Sequence, residues 1–135
     1  DGTDLTLIDD SYNANLDSMR AGIAALASIG QGRPTVAVLG EMLELGEDSR
    51  SLHEQVGAMI EEAGVDALVG LGAHAHYYLE GASGVPHREV ASDPSDAARL
   101  ALQFAGDGAV VLVKGSFGSH SWQVADILRE KGMTR

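Results

Sequence analysis

The sequence predicts an α/β fold, in which a mostly parallel sheet is covered by helices on both faces. Three observations carry this. Short apolar runs such as "TVAVLG" (35–40) and "AVVLVKG" (109–115) recur along the chain. Near-continuous apolar runs are the pattern of strands buried on both faces. Stretches with apolar residues at helical spacing alternate with these runs, which implies parallel strands joined by crossover helices. The chain is also 135 residues long and 44% apolar, enough for one domain with a real core and too apolar for disorder. Residues 1–135 are therefore read as one domain.

The elements follow in order. "TDLTLID" (3–9) is the first strand. A helix begins near Asn15 and carries Met19, Ile23, Leu26 and Ala27 on one face, with Gly30 and Gly32 after it. "TVAVLG" follows Pro34. After the loop "EMLELGED", Ser51 and Glu54 have capping-box spacing at the head of a helix whose stripe is Leu52, Val56, Met59, Ile60 and Ala63. Gly64 stands where a left-handed stop belongs. "ALVGLG" (67–72) is the third strand, followed by a short helix over His74 to Glu80 and a weak strand over His87 to Val90. Asp93 and Pro94 read as N-cap and first residue of a helix carrying Ala97, Leu100, Ala101 and Phe104. After "AVVLVKG", a last helix from Ser119 to Lys131 carries Trp122, Ala125 and Leu128 and ends at Gly132.

Composition excludes several function classes. The chain has no cysteine, so it has no disulfide framework, thiolate metal site or thiol nucleophile, and it fits a reducing cytoplasm. A formal net charge of −11 repels phosphate backbones, which argues against nucleic acid as a partner. No segment approaches the roughly 18 consecutive apolar residues of a membrane span. The start, "DGTDLTLIDD", lacks a secretory signal and lies almost inside a strand, as in a domain cut from a longer chain. The helices look internally matched, so a monomer is expected.

In parallel α/β sheets, ligands bind at the carboxyl ends of the strands. The candidate ends here are Asp9-Asp10, Gly40-Glu41, Gly72-Ala73 and Lys114-Gly115-Ser116. An acidic pair facing a lysine across one edge suits a magnesium–phosphate site, with oxygen ligands for the cation and an ammonium for a phosphoryl oxygen. A plain salt bridge across the sheet top fits the same residues. Asn13 or Asn15 would cap the first helix, leaving one asparagine unexplained, and Tyr12 is either a packing residue or a platform for a planar group. "VLVKGS" followed by "FGSHS" brings together a lysine, glycines and hydroxyls at a helix start, a set suited to a carboxylate or phosphate.

Two patterns fail. The sequence contains no G-x-x-x-x-G-K-[ST], so a self-sufficient NTPase is excluded. "GLGAHAHYY" is not a dinucleotide fingerprint, and on a helix His74 and His76 would face different ways rather than share a metal. His53, near a helix start, reads as surface-facing.

Two families fit an acidic pair after the first strand and a lysine after the fifth. A phosphoacceptor receiver domain is one, but its phosphorylated aspartate should end the third strand, and "ALVGLGAHA" has no carboxylate. The other resemblance is longer. "IDDSYNANLDSM" resembles the D-D-S-Y-N-A-N-P-D-S-M signature that opens the C-terminal domain of Mur ligases of the MurF type. "VLGEMLELGEDSRSLH" is similar to that family's L-G-[DE]-M-L-E-L-G-x-x-x-x-x-x-H stretch, with Glu41, Leu45, Gly46 and His53 in place, and "VLVKGS" resembles its third motif.

The resemblance implies a Rossmann-like three-layer αβα sandwich, the last of three domains. Full-length members use ATP and magnesium in the bacterial cytoplasm to join D-alanyl-D-alanine to UDP-MurNAc-tripeptide through an acyl phosphate. Carried over by motif, Asp10 would meet the ATP ribose, while Tyr12, Asn13 and Asn15 would line the nucleotide side. Lys114, Gly115 and Ser116 would face the dipeptide. Asp9 would be structural, satisfied by backbone N–H groups. Glu41 and His53 match the second motif without an assigned role. The chain departs from the pattern at Leu16, where proline is usual, and in "FGSHSWQVADIL", where an Arg and Met-x-x-Glu are usual. No role follows for Phe117 or His120. Without the P-loop domain, the isolated chain should have no ligase activity, and no complete catalytic set lies within it.

Overall fold

A computed structural model of the chain describes residues 5–11, 15–42, 46–106 and 108–130. The apolar runs form four strands and the mostly exposed HREVA segment a fifth: β1 (Thr6–Asp10), β2 (Thr35–Gly40), β3 (Ala67–Leu71), β4 (His87–Ala91) and β5 (Val110–Lys114). Between and after them lie α1 (Leu16–Ile29), α2 (Ser49–Glu62), α3 (His76–Gly81), α4 (Pro94–Ala105) and α5 (Ser121–Glu130). All strand pairings are parallel, in the order β1-β5-β2-β3-β4.

Strand alternation sends successive side chains to opposite faces, and each face has its own core. Met19, Ile23 and Leu26 of α1, Val56 and Ile60 of α2 and Tyr78 of α3 pack on Ala37, Leu39, Leu68, Val110 and Leu112. Ala97, Ala101 and Ala105 of α4 and Val124, Ala125 and Leu128 of α5 pack on Leu7, Val36, Val38, Val69, Val111 and Val113. The chain thus travels from β1 to β4 with helices on one face and returns to β5 with a helix on the other, as right-handed crossovers require. This is the αβα sandwich that the sequence predicts.

Helix ends follow mostly local chemistry. Asn15 caps α1: its Oδ1 accepts the Ser18 N–H at 2.8 Å, and the Ser18 hydroxyl accepts the Asn15 N–H at 3.0 Å. Asp93 caps α4 with Pro94 at its first position. Gly64 takes φ +75° just past α2.

The Ser51–Glu54 capping box does not form. A 3₁₀ turn over Gly46–Asp48 runs straight into a helix that begins at Ser49, so Ser51 is already inside. Its hydroxyl accepts from Gln55, and Glu54 pairs with Arg50. The short helix starts two residues later than expected, at His76, and the last helix at Ser121. The expected ends at Lys131 and Gly132, and the start of the first strand at Thr3, lie outside the described residues.

Candidate functional site

The strand order creates the site. β5 lies between β1 and β2, yet α5 leaves it on the face opposite to the one used by α1 and α2. Connections that diverge to opposite faces open a crevice at the carboxyl edge, where Asp10, Gly40 and Lys114 end their strands.

Alternation separates the two aspartates. Asp10 is the register partner of Lys114, and both point to the α1 face. The Lys114 ammonium donates to Asp10 Oδ2 at 2.5 Å; the lysine side chain is fully buried and the Asp10 side chain is 46% exposed. Gly22 of α1 makes this possible, because a Cβ there would come within 2.9 Å of Lys114 Cδ. Asp9 points to the α5 face, where the Arg129 guanidinium and the Ser11 hydroxyl (2.6 Å) both donate to it. Among the described residues, the donors to Asp9 are these two side chains rather than the backbone N–H groups expected.

The edge thus contains the salt bridge that the sequence allowed. Among the described residues, no group of three or more His, Asp or Glu side chains is placed to hold a metal ion. Asp9 and Asp10 are engaged on opposite faces of the sheet, so the two carboxylates do not converge on one cation as the acidic pair suggested.

The ends of β2 and β5 approach very closely. A Cβ on Gly115 would lie 2.9 Å from Gly40 Cα and 2.7 Å from the hydroxyls of both Ser119 and Ser121. These serines knit the edge together. Ser119 donates to the Ser116 carbonyl at 2.6 Å, and Ser121 donates to the Ser11 carbonyl at 3.3 Å. Ser121 thereby joins the loop after β1 to the one after β5. His120 between them takes φ +65°, a left-handed conformation uncommon for a non-glycine residue. The sequence places the hydroxyls of "FGSHS" in an anion-binding set and gives His120 no role; in the structure Ser119 and Ser121 bond backbone carbonyls.

His53 is not surface-facing. It is fully buried, because it lies on the same helix face as Val56, Gly57 and Ile60. Its Nε2 accepts the Met42 N–H at 3.1 Å and its Nδ1–H donates to the Ser49 carbonyl at 2.6 Å. Burial holds its pKa below the ordinary imidazole range. The Tyr78 hydroxyl donates to the Gly40 carbonyl at 2.9 Å, and its ring lies 4.7 Å from that of His53. The Glu41 carboxylate turns away from the β1–β5 crevice, accepting the His74 N–H at 3.0 Å and pairing with His74 Nδ1 at 3.1 Å. Gly72, at φ +116°, leaves room for it. The Glu41 carbonyl accepts the Ser116 hydroxyl at 3.0 Å.

The predicted site residues thus fall into two groups. Asp10 and Lys114 meet in the β1–β5 crevice, while Glu41, His53 and Ser116 are joined around the loop after β2. Asn15 is engaged as the α1 cap. The sites expected at Tyr12 and Asn13 lie outside the described residues, as does Leu45. Gly22, Gly57, Tyr78 and Ser121 shape the edge and were not foreseen.

Comparison with known proteins agrees with this fold. Residues 1–117 match the family described as "Mur ligase, glutamate ligase domain". The chain is 39% identical to the UDP-N-acetylmuramoyl-tripeptide–D-alanyl-D-alanine ligases of Mycobacterium leprae and Escherichia coli, aligning over 97% and 93% of its own length. It spans only 29% and 27% of theirs. The fold superimposes on a crystal structure of MurF from Acinetobacter baumannii with a TM-score of 0.80 at 29% identity, covering 96% of this chain and 29% of that one. It also superimposes on the Thermotoga maritima MurF ligase in complex with ADP, with a TM-score of 0.76 at 24% identity, over 97% of this chain and 29% of that one. The receiver reading has no support, since β3 runs into Gly72-Ala73-His74 without a carboxylate and these matches lead elsewhere. The chain belongs to the Mur ligase family, as a C-terminal domain of the MurF type.

Proposed function

We propose that this chain serves as the closing domain of an ATP-dependent ligase that adds D-alanyl-D-alanine to UDP-MurNAc-tripeptide in peptidoglycan precursor synthesis. The observation that carries this reading is the Asp10–Lys114 pair at the sheet's switch point. Its two residues come from the first and third family motifs, in a chain 39% identical to ligases of that name.

In this reading, ATP supplies the phosphoryl group that activates the tripeptide carboxylate, and a P-loop domain elsewhere in the enzyme holds the phosphates and magnesium. The residues of this chain complete the site. Half-exposed and anchored by a buried ammonium, the Asp10 carboxylate is oriented to accept hydrogen bonds from ribose hydroxyls. Tyr12, Asn13 and Asn15 follow it on the nucleotide side. Lys114, Gly115 and Ser116 form the dipeptide side, where the charge of the Lys114 ammonium, buried and paired with Asp10, suits the carboxylate of D-alanyl-D-alanine.

Closure of this edge over the acyl phosphate would exclude water until the dipeptide amine attacks and phosphate departs. The setting would be the bacterial cytoplasm and the enzyme a monomer. Among the described residues, no helix is long and apolar enough to cross a membrane.

Amide NMR titration of the chain tests the half-sites. D-alanyl-D-alanine should shift resonances at 114–116, and ADP with magnesium those at 10–15. Shifts at neither stretch would overturn the assignment of the two half-sites to this chain. The isolated chain should form no pentapeptide product. In the full-length ligase, Lys114→Ala should raise KM for the dipeptide more than for ATP, and Asp10→Ala the reverse. Equal effects on both substrates would remove that division.

A further inference from the structure

The Glu41–Met42 peptide lies between two side chains from distant parts of the sequence. The peptide bond is trans and planar, so its N–H and C=O point in opposite directions. The N–H of Met42 donates to His53 Nε2 at 3.1 Å, and the Glu41 carbonyl accepts the Ser116 hydroxyl at 3.0 Å. Rotating this one peptide would therefore break both bonds together, with the longer bond of 3.5 Å from the Ser116 N–H to the same carbonyl.

The bond made by the other ring nitrogen holds the imidazole in the accepting tautomer. The Nδ1–H is committed to the Ser49 carbonyl at 2.6 Å, which leaves Nε2 as the acceptor. The ring is fully buried against Tyr78, whose hydroxyl fixes the preceding carbonyl, that of Gly40. Met42 is itself buried, so water has little access to replace His53 at its N–H.

We propose that His53 is a positioning residue for the dipeptide half-site: by accepting the Met42 N–H it fixes the Glu41–Met42 peptide, whose carbonyl orients the Ser116 hydroxyl. This rests on the reading that Ser116 faces the dipeptide. It assigns a task to the histidine of the second motif without requiring it to touch substrate.

Steady-state kinetics on the full-length ligase test it with four variants. With its proton committed to the Glu41 carbonyl, the Ser116 oxygen accepts from an N–H of the dipeptide, and losing that one hydrogen bond should raise dipeptide KM about five- to tenfold in Ser116→Ala. His53→Leu should raise it severalfold while leaving KM for ATP and kcat near their original values. His53→Gln, whose amide oxygen can replace Nε2 as acceptor, should recover most of that loss. The double variant Ser116→Ala/His53→Leu should be no worse than Ser116→Ala alone, because the two act through one hydrogen bond.

Additive effects, or an equal rise in KM for ATP, would overturn the role of His53 and leave the Ser116 reading intact. A silent Ser116→Ala would overturn both. If His53→Leu does not fold, the tautomer in the unsubstituted chain decides the point. Long-range ¹H–¹⁵N spectra should place the His53 proton on Nδ1, and a proton on Nε2 would overturn the proposal.

Discussion

The crevice between β1 and β5 and the loop after β2 share one sheet edge and are built by different physics. The crevice rests on a charge pair, Asp10 with Lys114, in which one partner is fully buried and the other almost half exposed. The loop after β2 rests on neutral donors and acceptors, with His53, Tyr78 and Ser116 each bonding a backbone group of 40–42. A half-exposed carboxylate can exchange water for ligand hydroxyls at little cost. A buried backbone group has no water to exchange with, so its partners must already be in place. The difference separates a carboxylate that can exchange water for a ligand from a hydrogen-bonded support that fixes Ser116 beside it.

The largest expected effect lies in the neutral region. Gly57 lets α2 and α3 approach closely; a Cβ there would sit 2.0 Å from the Tyr78 carbonyl oxygen and 3.0 Å from the Ala82 nitrogen. Both contacts are backbone, so relief requires one helix to move. Gly57→Ala should cost about 3 kcal/mol, well beyond the gain of about 1 kcal/mol in helix propensity. Urea unfolding would show this as a lower midpoint. An unchanged midpoint would mean that α2 and α3 can slide, and that His53 and Tyr78 are not a rigid support.

The charged region should show an asymmetry that the neutral one lacks. Asp10→Ala strips a carboxylate from a fully buried ammonium and should cost about 2 kcal/mol, below the range for a wholly buried pair because Asp10 is partly solvated. Lys114→Met keeps the stem beside Gly22 and leaves Asp10 open to water, so its cost should be under about 1 kcal/mol. Equal losses in denaturant unfolding would mean that the lysine's burial is not what makes the pair sensitive.

Much of this edge is legible in the sequence, because strand and helix periodicities are local and the carboxyl ends can be counted. That Asp10 and Lys114 share an edge follows from parallel strands alone. That Asp9 and Asp10 part company follows from alternation, but the partner of Asp9 does not. Arg129 is 120 residues away, and its position depends on how α5 is rotated against the sheet. His53 was misread although its signal was present: it lies three, four and seven residues before Val56, Gly57 and Ile60, on the face that becomes buried. The polarity of histidine argues for the surface, whereas its position in the stripe marks it as core. The Ser51–Glu54 box failed because a 3₁₀ turn, which has no comparable periodic signal, extends the helix start upstream.

Tyr78→Phe probes the neutral region more gently. It keeps the ring against His53 and removes only the donor to the Gly40 carbonyl, leaving a buried acceptor without that bond. A loss of about 1–2 kcal/mol is expected. The dipeptide KM of the full-length ligase should rise with it, if the two pinned carbonyls act as one unit. A stability loss without any kinetic change would separate the Gly40 bond from the Glu41–Met42 clamp.

The smallest expected effect is also the most specific, because it comes from protons alone. Burial lowers the pKa of His53, His74 and His76 lower it further, and the Ser49 carbonyl and the Glu41 carboxylate oppose them. Tyr78 contributes no charge, since burial pushes its hydroxyl pKa upward. A lowered folded-state value means that the unfolded chain binds a proton which the folded chain refuses. Stability from this group is therefore fully present above its ordinary value of 6.5 and is lost as pH falls through that value towards the lowered one. The slope cannot exceed about 1.4 kcal/mol per pH unit. Other groups titrate in acid as well, so the informative quantity is the difference between the unsubstituted chain and His53→Gln, measured by urea unfolding between about pH 5 and pH 7. That difference should shrink towards low pH, because glutamine keeps an acceptor for the Met42 N–H that no proton can block. Parallel curves would mean that His53 takes up its proton without releasing the loop, and the contrast between a responsive crevice and a fixed support would lose its basis.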